Sequence, residues 1–313
     1  MKFIVTGGMG FVGSHLCDKL IKEKHDVTIL TRSSTKMKNI EQLKKHIDID
    51  KVDITDSDKL KKTIKKIKPD CIIHLAGETS HSKSFDNPIQ DIDSNAKSTL
   101  VILDTIREFN PTCKFVLGST FIVIGRPISL PVNETTSCNP TTIYGINRLA
   151  SEYYCKIYNH VYGLDTRIFR ITNSFGPREQ VVANKNAINF LIYKAFKGED
   201  ITLFNHGKFF RDLIYISDVI SGLDVILKKG KAGNLYWISS NKKTWFYQLG
   251  KWLEELTNAK IKYVKTPTYT KKVDVGNFVV DNHKLMSLGW KNETSVKEGI
   301  QKTLNYFREY GIN

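Results

Sequence analysis

Several things are scarce or missing in this chain, and each absence narrows what it can be. No apolar run approaches the roughly 20 residues that a membrane-spanning helix needs, which excludes a helical membrane protein. Met1-Lys2-Phe3-Ile4-Val5-Thr6 runs straight into glycines, without the basic segment and cleavage site of a secretory signal. The expectation is therefore a cytoplasmic protein. The five cysteines (Cys17, Cys71, Cys113, Cys138 and Cys155) are odd in number, widely spaced and never in a CxxC pair. They read as reduced thiols, with neither a disulfide framework nor a zinc site. The histidines show no metal-ligand spacing either; His74 ends a strand, and His81 and His206 fall in loops. No metal is expected. Arginine is also scarce, with nine among 47 basic residues.

That scarcity bears on the formal charge of +15, which would otherwise point to nucleic acid. The excess is carried by lysines scattered over predicted surface helices, such as Lys59, Lys61, Lys62, Lys65 and Lys66, with no nucleic-acid motif beside them. A solvated lysine-rich surface fits better than a polyanion-binding face. Each of the few arginines is then worth a question.

What is present is a repeating rhythm over 313 residues. Met1–Thr6 and Val27–Thr31 are β-branched runs separated by an amphipathic stretch from Phe11 to Lys24. This is the size of a right-handed strand–helix–strand unit. Lys51–Ile54 ends a third strand, and Asp56 or Ser57 caps a helix to Lys66. Strands at Cys71–Ala76, Lys114–Gly118 and Thr166–Ile171 follow, with helices at Ile92–Phe109 and Thr142–Tyr162 between them. Continuously apolar strands alternating with helices predict an α/β, Rossmann-type, doubly wound parallel sheet. After Gly176-Pro177 the rhythm loosens. Residues 1–176 are assigned to a dinucleotide-binding domain, and 177–313 mainly to a smaller mixed α/β substrate lobe, some of whose segments return to the first.

Between the first strand and first helix lies Thr6-Gly7-Gly8-Met9-Gly10-Phe11-Val12-Gly13. Gly7 permits the tight turn, Gly10 lets the backbone approach a pyrophosphate, and Gly13 lets helix and strand pack closely. The first helical residues, Phe11 and Val12, then present amides at a helix N-terminus, where anions are favoured. The second strand ends Thr31-Arg32-Ser33-Ser34, with no carboxylate to read the ribose hydroxyls of NAD. Arg32 and the hydroxyls suit a 2′-phosphate, so NADP is favoured over NAD. An exposed Arg32 beside an NAD site without an acidic reader is the alternative. Asp53 and Ile54 are placed to flank adenine.

These features, with His74-Leu75-Ala76-Gly77, Ser119-Thr120 and Tyr144-Gly145-Ile146-Asn147-Arg148, resemble the extended short-chain dehydrogenase/reductase family. The resemblance is closer to its nucleotide-sugar epimerase/dehydratase branch and covers essentially the whole chain. Arg170-Ile171-Thr172-Asn173-Ser174-Phe175-Gly176-Pro177-Arg178 is similar to that branch's RxxNxYGPR segment. Arg211-Asp212-Leu213-Ile214-Tyr215-Ile216-Ser217-Asp218-Val219 is similar to its RDFIYVDDV segment, and Asp281-Asn282-His283-Lys284 with Leu288-Gly289-Trp290 to its DxSK…LGW ending.

The resemblance implies an enzyme in which Tyr144 is the acid/base, Thr120 hydrogen-bonds the reacting oxygen and Arg148 supplies a cation one helical turn from the phenol. Leu75, Ala76, Gly77, Tyr144 and Arg148 would border the cofactor, and Asn173, Arg178 and Arg211 the diphosphate of a nucleotide sugar. Lys271 or Lys272 stands where a second arginine is usual. Two departures matter. YxxxK has become YxxxR, which keeps the charge but not the shape or the ability to deprotonate. Phe121-Ile122 follow Thr120 where dehydrating or decarboxylating relatives carry an acid, which disfavours those reactions. An NAD(P)-dependent epimerase that moves hydride at a ring carbon, C4, is the leading expectation. An NADPH-dependent 4-keto-sugar reductase is the alternative. A non-catalytic dinucleotide-binding protein with an RNA or protein partner stands behind both. The helices at 92–109 and 142–162 suggest a homodimer of the kind this family often forms.

Overall fold

A computed structural model describes residues 1–33, 37–79, 81–181, 187–265 and 273–312, apart from the side chains at 81 and 82. Seven strands form one sheet: β1 (Lys2–Thr6), β2 (Asp26–Thr31), β3 (Asp48–Lys51), β4 (Cys71–His74), β5 (Lys114–Thr120), β6 (Thr166–Ile171) and β7 (Leu235–Ile238). Their spatial order is β7-β6-β5-β4-β1-β2-β3 and every pairing is parallel. This is the Rossmann arrangement with one added edge strand.

Alternation along each strand divides the apolar side chains between two cores. Phe3, Val5, Ile29, Ile73, Val116 and Phe169 face one side, against Leu16, Cys17 and Leu20 of α1 (Phe11–Lys22). Ile4, Leu30, Ile72, Phe115, Leu117 and Ile168 face the other, against α2 (Ser57–Ile67), α3 (Ser98–Phe109) and α4 (Ile143–Tyr162). Both faces are dry, which is why these strands read as unbroken apolar runs. The helix starts follow capping chemistry. Asp56 accepts from the Lys59 amide and Thr142 from the Gly145 amide, at 3.0 Å each.

Three departures from the sequence reading have physical causes. The third strand stops at Lys51, because the chain turns at Asp53, whose Oδ1 accepts from the Thr55 amide and hydroxyl. The predicted helix over 92–109 opens as six residues of π-helix, Ile92–Lys97. There the Asn95 carbonyl accepts from the hydroxyls of Thr99 and Ser151, at 2.8 and 2.9 Å, and such side-chain insertions widen a helix. The seventh strand, Leu-Tyr-Trp-Ile at 235–238, went unread: it is short, aromatic and wholly buried, so it shows no alternation.

The remainder of the C-terminal half is mixed α/β. Short strand pairs join 173–175 to 213–215, 210–211 to 244–245 and 201–204 to 261–264. Around them pack α5 (Ala187–Phe196), α6 (Ile216–Lys229), α7 (Phe246–Leu256) and α8 (Val296–Tyr310). Among the described residues, no helix is long and apolar enough to cross a membrane.

Two carboxylates tie this half to the sheet. Asp218 accepts from the amides of Glu293 and Thr294. Asp212, fully buried, accepts from the amides of Ser240, Asn241 and Val280 and from the Ser240 hydroxyl, at 2.7–3.2 Å. Burial nevertheless pushes its carboxyl up to about 6. An Asp212→Asn change would turn an amide donor toward amide donors and leave buried N–H groups unpaired. It should cost about 3 kcal/mol of folding free energy, read from urea denaturation; a loss below about 0.5 kcal/mol would remove Asp212 from this role.

Candidate active site

A cleft of about 1720 Å³ opens at the carboxyl ends of β1, β4, β5 and β6, where the strand order reverses. That is where an open parallel sheet leaves a crevice between diverging loops. One end is built by the glycine turn. Gly7 sits at φ +71°, and a Cβ there would lie 2.9 Å from the Ala76 amide nitrogen. A Cβ on Gly13 would lie 2.2 Å from the Gly7 carbonyl oxygen, so only glycine keeps α1 this close to the turn. Gly10 caps α1 without a side-chain bond, and no acid stands in the first turn. Gly10, Phe11, Val12 and Gly13 all line the cleft, so the free end of the helix borders it. This uncapped helix start in a cradle that a Cβ would fill suits a dinucleotide pyrophosphate.

Arg32 is exposed and lines the cleft, and no described residue pairs with it. Ser34 lies outside the described residues. Asp53, Ile54, Leu75, Ala76 and Gly77 continue the same wall. The amides of Leu75 and Ala76 donate to the Thr6 hydroxyl, at 3.2 and 3.1 Å. That hydroxyl also meets the Nδ1 of buried His74, whose Nε2 reaches Ser98. Burial and the Arg148 charge hold His74 neutral, down to about 3.

Tyr144 stands in the first turn of α4, with Arg148 one turn on and Thr120 at the end of β5. The structure brings all three together in the cleft. The Tyr144 phenol hydrogen-bonds the Thr120 hydroxyl. Thr120 Oγ1 already accepts from the Ile122 amide at 3.3 Å, so its proton can go to the phenol oxygen. Burial pushes the Tyr144 phenol above its usual range, while the Arg148 guanidinium and the Thr120 bond pull it back; Asp91 and Glu78 add to the upward push. Arg148 is only 4% exposed. Its Nη1 donates to Asn95 Oδ1 at 3.4 Å, and its buried Nε has no hydrogen-bond partner. Gly77 makes room for this contact, since a Cβ there would lie 2.2 Å from Asn95 Oδ1 and 3.5 Å from Arg148 Nη1.

Phe121 and Ile122 line the cleft beside Thr120, and Phe121 packs edge-on against Phe278, so no acid follows Thr120. Ser119 turns the other way. Its hydroxyl donates to Glu152 Oε1 at 2.5 Å, and Glu152 is gripped by Arg170 through contacts of 2.9 and 2.6 Å.

The far end of the cleft holds Asn173 and Arg211. Arg211 donates to Asp274 at 2.5 Å and to the Phe210 carbonyl at 3.1 Å, and lies over the Phe209 ring. Phe209 stacks on Phe246 at 4.2 Å, and Phe190 and Phe204 also line this end. Arg178 does not line the cleft; it pairs with Asp18 on α1 at 2.6 Å. Lys271 and Lys272 lie outside the described residues. The sequence reading passed over Asp91, Asn95 and the phenylalanines. Asp91 and Asn95, four apart, do interrupt an otherwise apolar helix pattern, which was an available signal.

With this geometry in place, comparison with known proteins is informative. The family model described as GDP-mannose 4,6 dehydratase matches residues 4–303. A Methanocaldococcus jannaschii protein provisionally named a UDP-glucose 4-epimerase is 32% identical over 308 residues, covering 97% of this chain and 98% of its own. The structure of Thermotoga maritima UDP-glucose 4-epimerase with UDP-glucose matches at TM-score 0.91 and 28% identity, over 99% of both chains. That of Bacillus cereus UDP-glucuronic acid 4-epimerase with UDP-glucuronic acid and NAD matches at TM-score 0.85 and 26% identity, again over 99% of both. A family model spanning nearly the whole chain and end-to-end likeness to such enzymes lead to one conclusion: the chain belongs to the extended short-chain dehydrogenase/reductase family, among its nucleotide-sugar epimerases and dehydratases.

Proposed function

We propose that this protein is an NAD(P)-dependent epimerase of a nucleotide-diphosphate sugar, working by hydride transfer at ring carbon C4. The observation that carries the reading is the buried set Thr120–Tyr144–Arg148 at the sheet's carboxyl edge, with Phe121 and Ile122 in place of an acid. The names of its relatives favour the same reading. A nicotinamide dinucleotide along the glycine turn would supply the hydride acceptor and donor.

The chain's own residues supply the rest. Tyr144 takes the hydroxyl proton, and Arg148 and the Thr120 bond stabilise the phenolate. Thr120 hydrogen-bonds the same sugar oxygen. Arg148 is a fixed charge that cannot give up a proton, which suits a cycle in which Tyr144 removes a proton and returns it. Without an acid beside Thr120, no side chain there protonates a leaving hydroxyl, so dehydration is disfavoured. Asn173 and Arg211 hold the diphosphate, and the phenylalanine wall receives the base. Arg178, held by Asp18, has no part in this scheme.

Arg32 favours a second reading, a 4-keto-sugar reductase that spends NADPH, and either reaction makes NADP(H) the preferred cofactor. Calorimetry should show tighter binding of NADP(H) than NAD(H), with Arg32→Ala narrowing the gap. A wild-type preference for NAD(H) would refute the assignment of Arg32.

The acid/base assignment makes a joint prediction for three variants. Tyr144→Phe should lower turnover at least about 10²-fold, and Arg148→Lys should stay active. Arg148→Met removes the cation that favours phenolate, so the limb of the pH–rate profile set by Tyr144 should move to higher pH. An unchanged profile and rate in Arg148→Met would break the pairing.

A homodimer is proposed from the outer face of α4, where Ile146, Tyr153, Ile157 and Val161 are each more than half exposed at helical spacing, near exposed Phe85, Ile89 and Ile92. Light scattering should give twice the 35.8 kDa chain mass, and Ile157→Glu should shift it toward one; a monomeric wild type would reject this interface.

A further inference from the structure

The wall of the cleft beyond β4 carries charge that the scheme above leaves unused. Asp91 ends the short helix Pro88–Asp91, is 1% exposed and lines the cleft. Its Oδ1 accepts from the Asn147 amide nitrogen at 2.7 Å, whereas its buried Oδ2 has no hydrogen-bond partner. Leaving a buried carboxylate oxygen without a donor is costly, so such an atom at the edge of a cleft calls for a donor on the ligand. Asn147 is three residues from Tyr144 and adjacent to Arg148, which sets Asp91 behind the reacting position. Glu78 lines the same wall, and its Oε1 accepts from the Thr79 amide at 2.9 Å. Lys83, Asp86 and Arg148 are the other charges on this side; Arg126, across the cleft, donates its Nε to the Asp274 carbonyl.

Resting on the nucleotide-sugar reading, we propose that Asp91 sets sugar specificity: Oδ2 accepts a hydrogen bond from a ring hydroxyl and, with Glu78, excludes uronic acids. A neutral hexose brings the proton that Oδ2 needs. A uronate turned toward this wall brings another carboxylate, with no proton to donate and a like charge in a poorly hydrated place. Selectivity of this kind needs the repulsive contact as much as the attractive one. It would set this chain apart from the Bacillus cereus relative, whose structure holds UDP-glucuronic acid.

The test uses the full-length purified protein, with calorimetry of UDP, UDP-glucose and UDP-glucuronate on wild type, Asp91→Asn and Glu78→Gln. Wild type should bind UDP-glucose at least about tenfold more tightly than UDP-glucuronate. Asp91→Asn should weaken UDP-glucose and narrow that ratio, and Glu78→Gln should narrow it from the uronate side. UDP alone should bind all three proteins equally, because its contacts lie at the other end of the cleft. A purely structural Asp91 would instead weaken UDP along with the sugars, which overturns the proposal. So does a wild type that binds the two sugars alike. If wild type binds neither UDP nor its sugars, the nucleotide-sugar reading falls, and this inference with it.

Discussion

Keeping a phenol and a guanidinium together out of water is the constraint around which this site is arranged. Burial raises the Tyr144 phenol, and only a fixed cation and a directed hydroxyl oppose that. A buried cation is itself expensive unless its donors are met. The chain meets this cost with local distortion. A π-turn presents Asn95 to Arg148, and a glycine at position 77 leaves space for the contact. The His74 hydrogen bonds then tie the first strand to Ser98, the residue that follows the π-turn. The glycine turn and the π-turn are thereby held in one frame.

Behind this sits a second buried charge. Glu152 is one turn beyond Arg148, and it is bound by Arg170 of β6 and Ser119 of β5. Ser119 precedes Thr120, so the pair fixes the end of β5 against α4. The spacing of Thr120 and Tyr144 thus depends on an ion pair that no ligand touches. Breaking such a pair costs far more than replacing it outright, which explains why a charge is tolerated so deep.

Much of this was legible in the sequence. The strand rhythm, the glycine turn and the Thr120–Tyr144–Arg148 set follow local rules: apolar runs, a strand-to-helix turn, and a four-residue helical spacing. What stayed hidden depends on partners far along the chain. Arg178, a candidate for the diphosphate, faces Asp18, which lies 160 residues away. Asp212 and Asp218 belong to a motif that looks functional, yet both anchor distant backbone. The π-turn could not be read because its cause is a hydroxyl on α4, Ser151, and a short strand such as β7 reveals itself only when paired. The lesson is physical: a motif marks residues that must be kept, and only three-dimensional contacts separate those that hold ligand from those that hold chain.

The central claim is that hydride leaves and returns to the same carbon, C4, while Tyr144 manages the proton. Incubating the purified protein with UDP-glucose deuterated at C4 and following the product by NMR tests this directly. The account predicts inversion at C4, with deuterium still on that carbon and none lost to water. Deuterium exchanged into solvent, or inversion at another carbon, would contradict it.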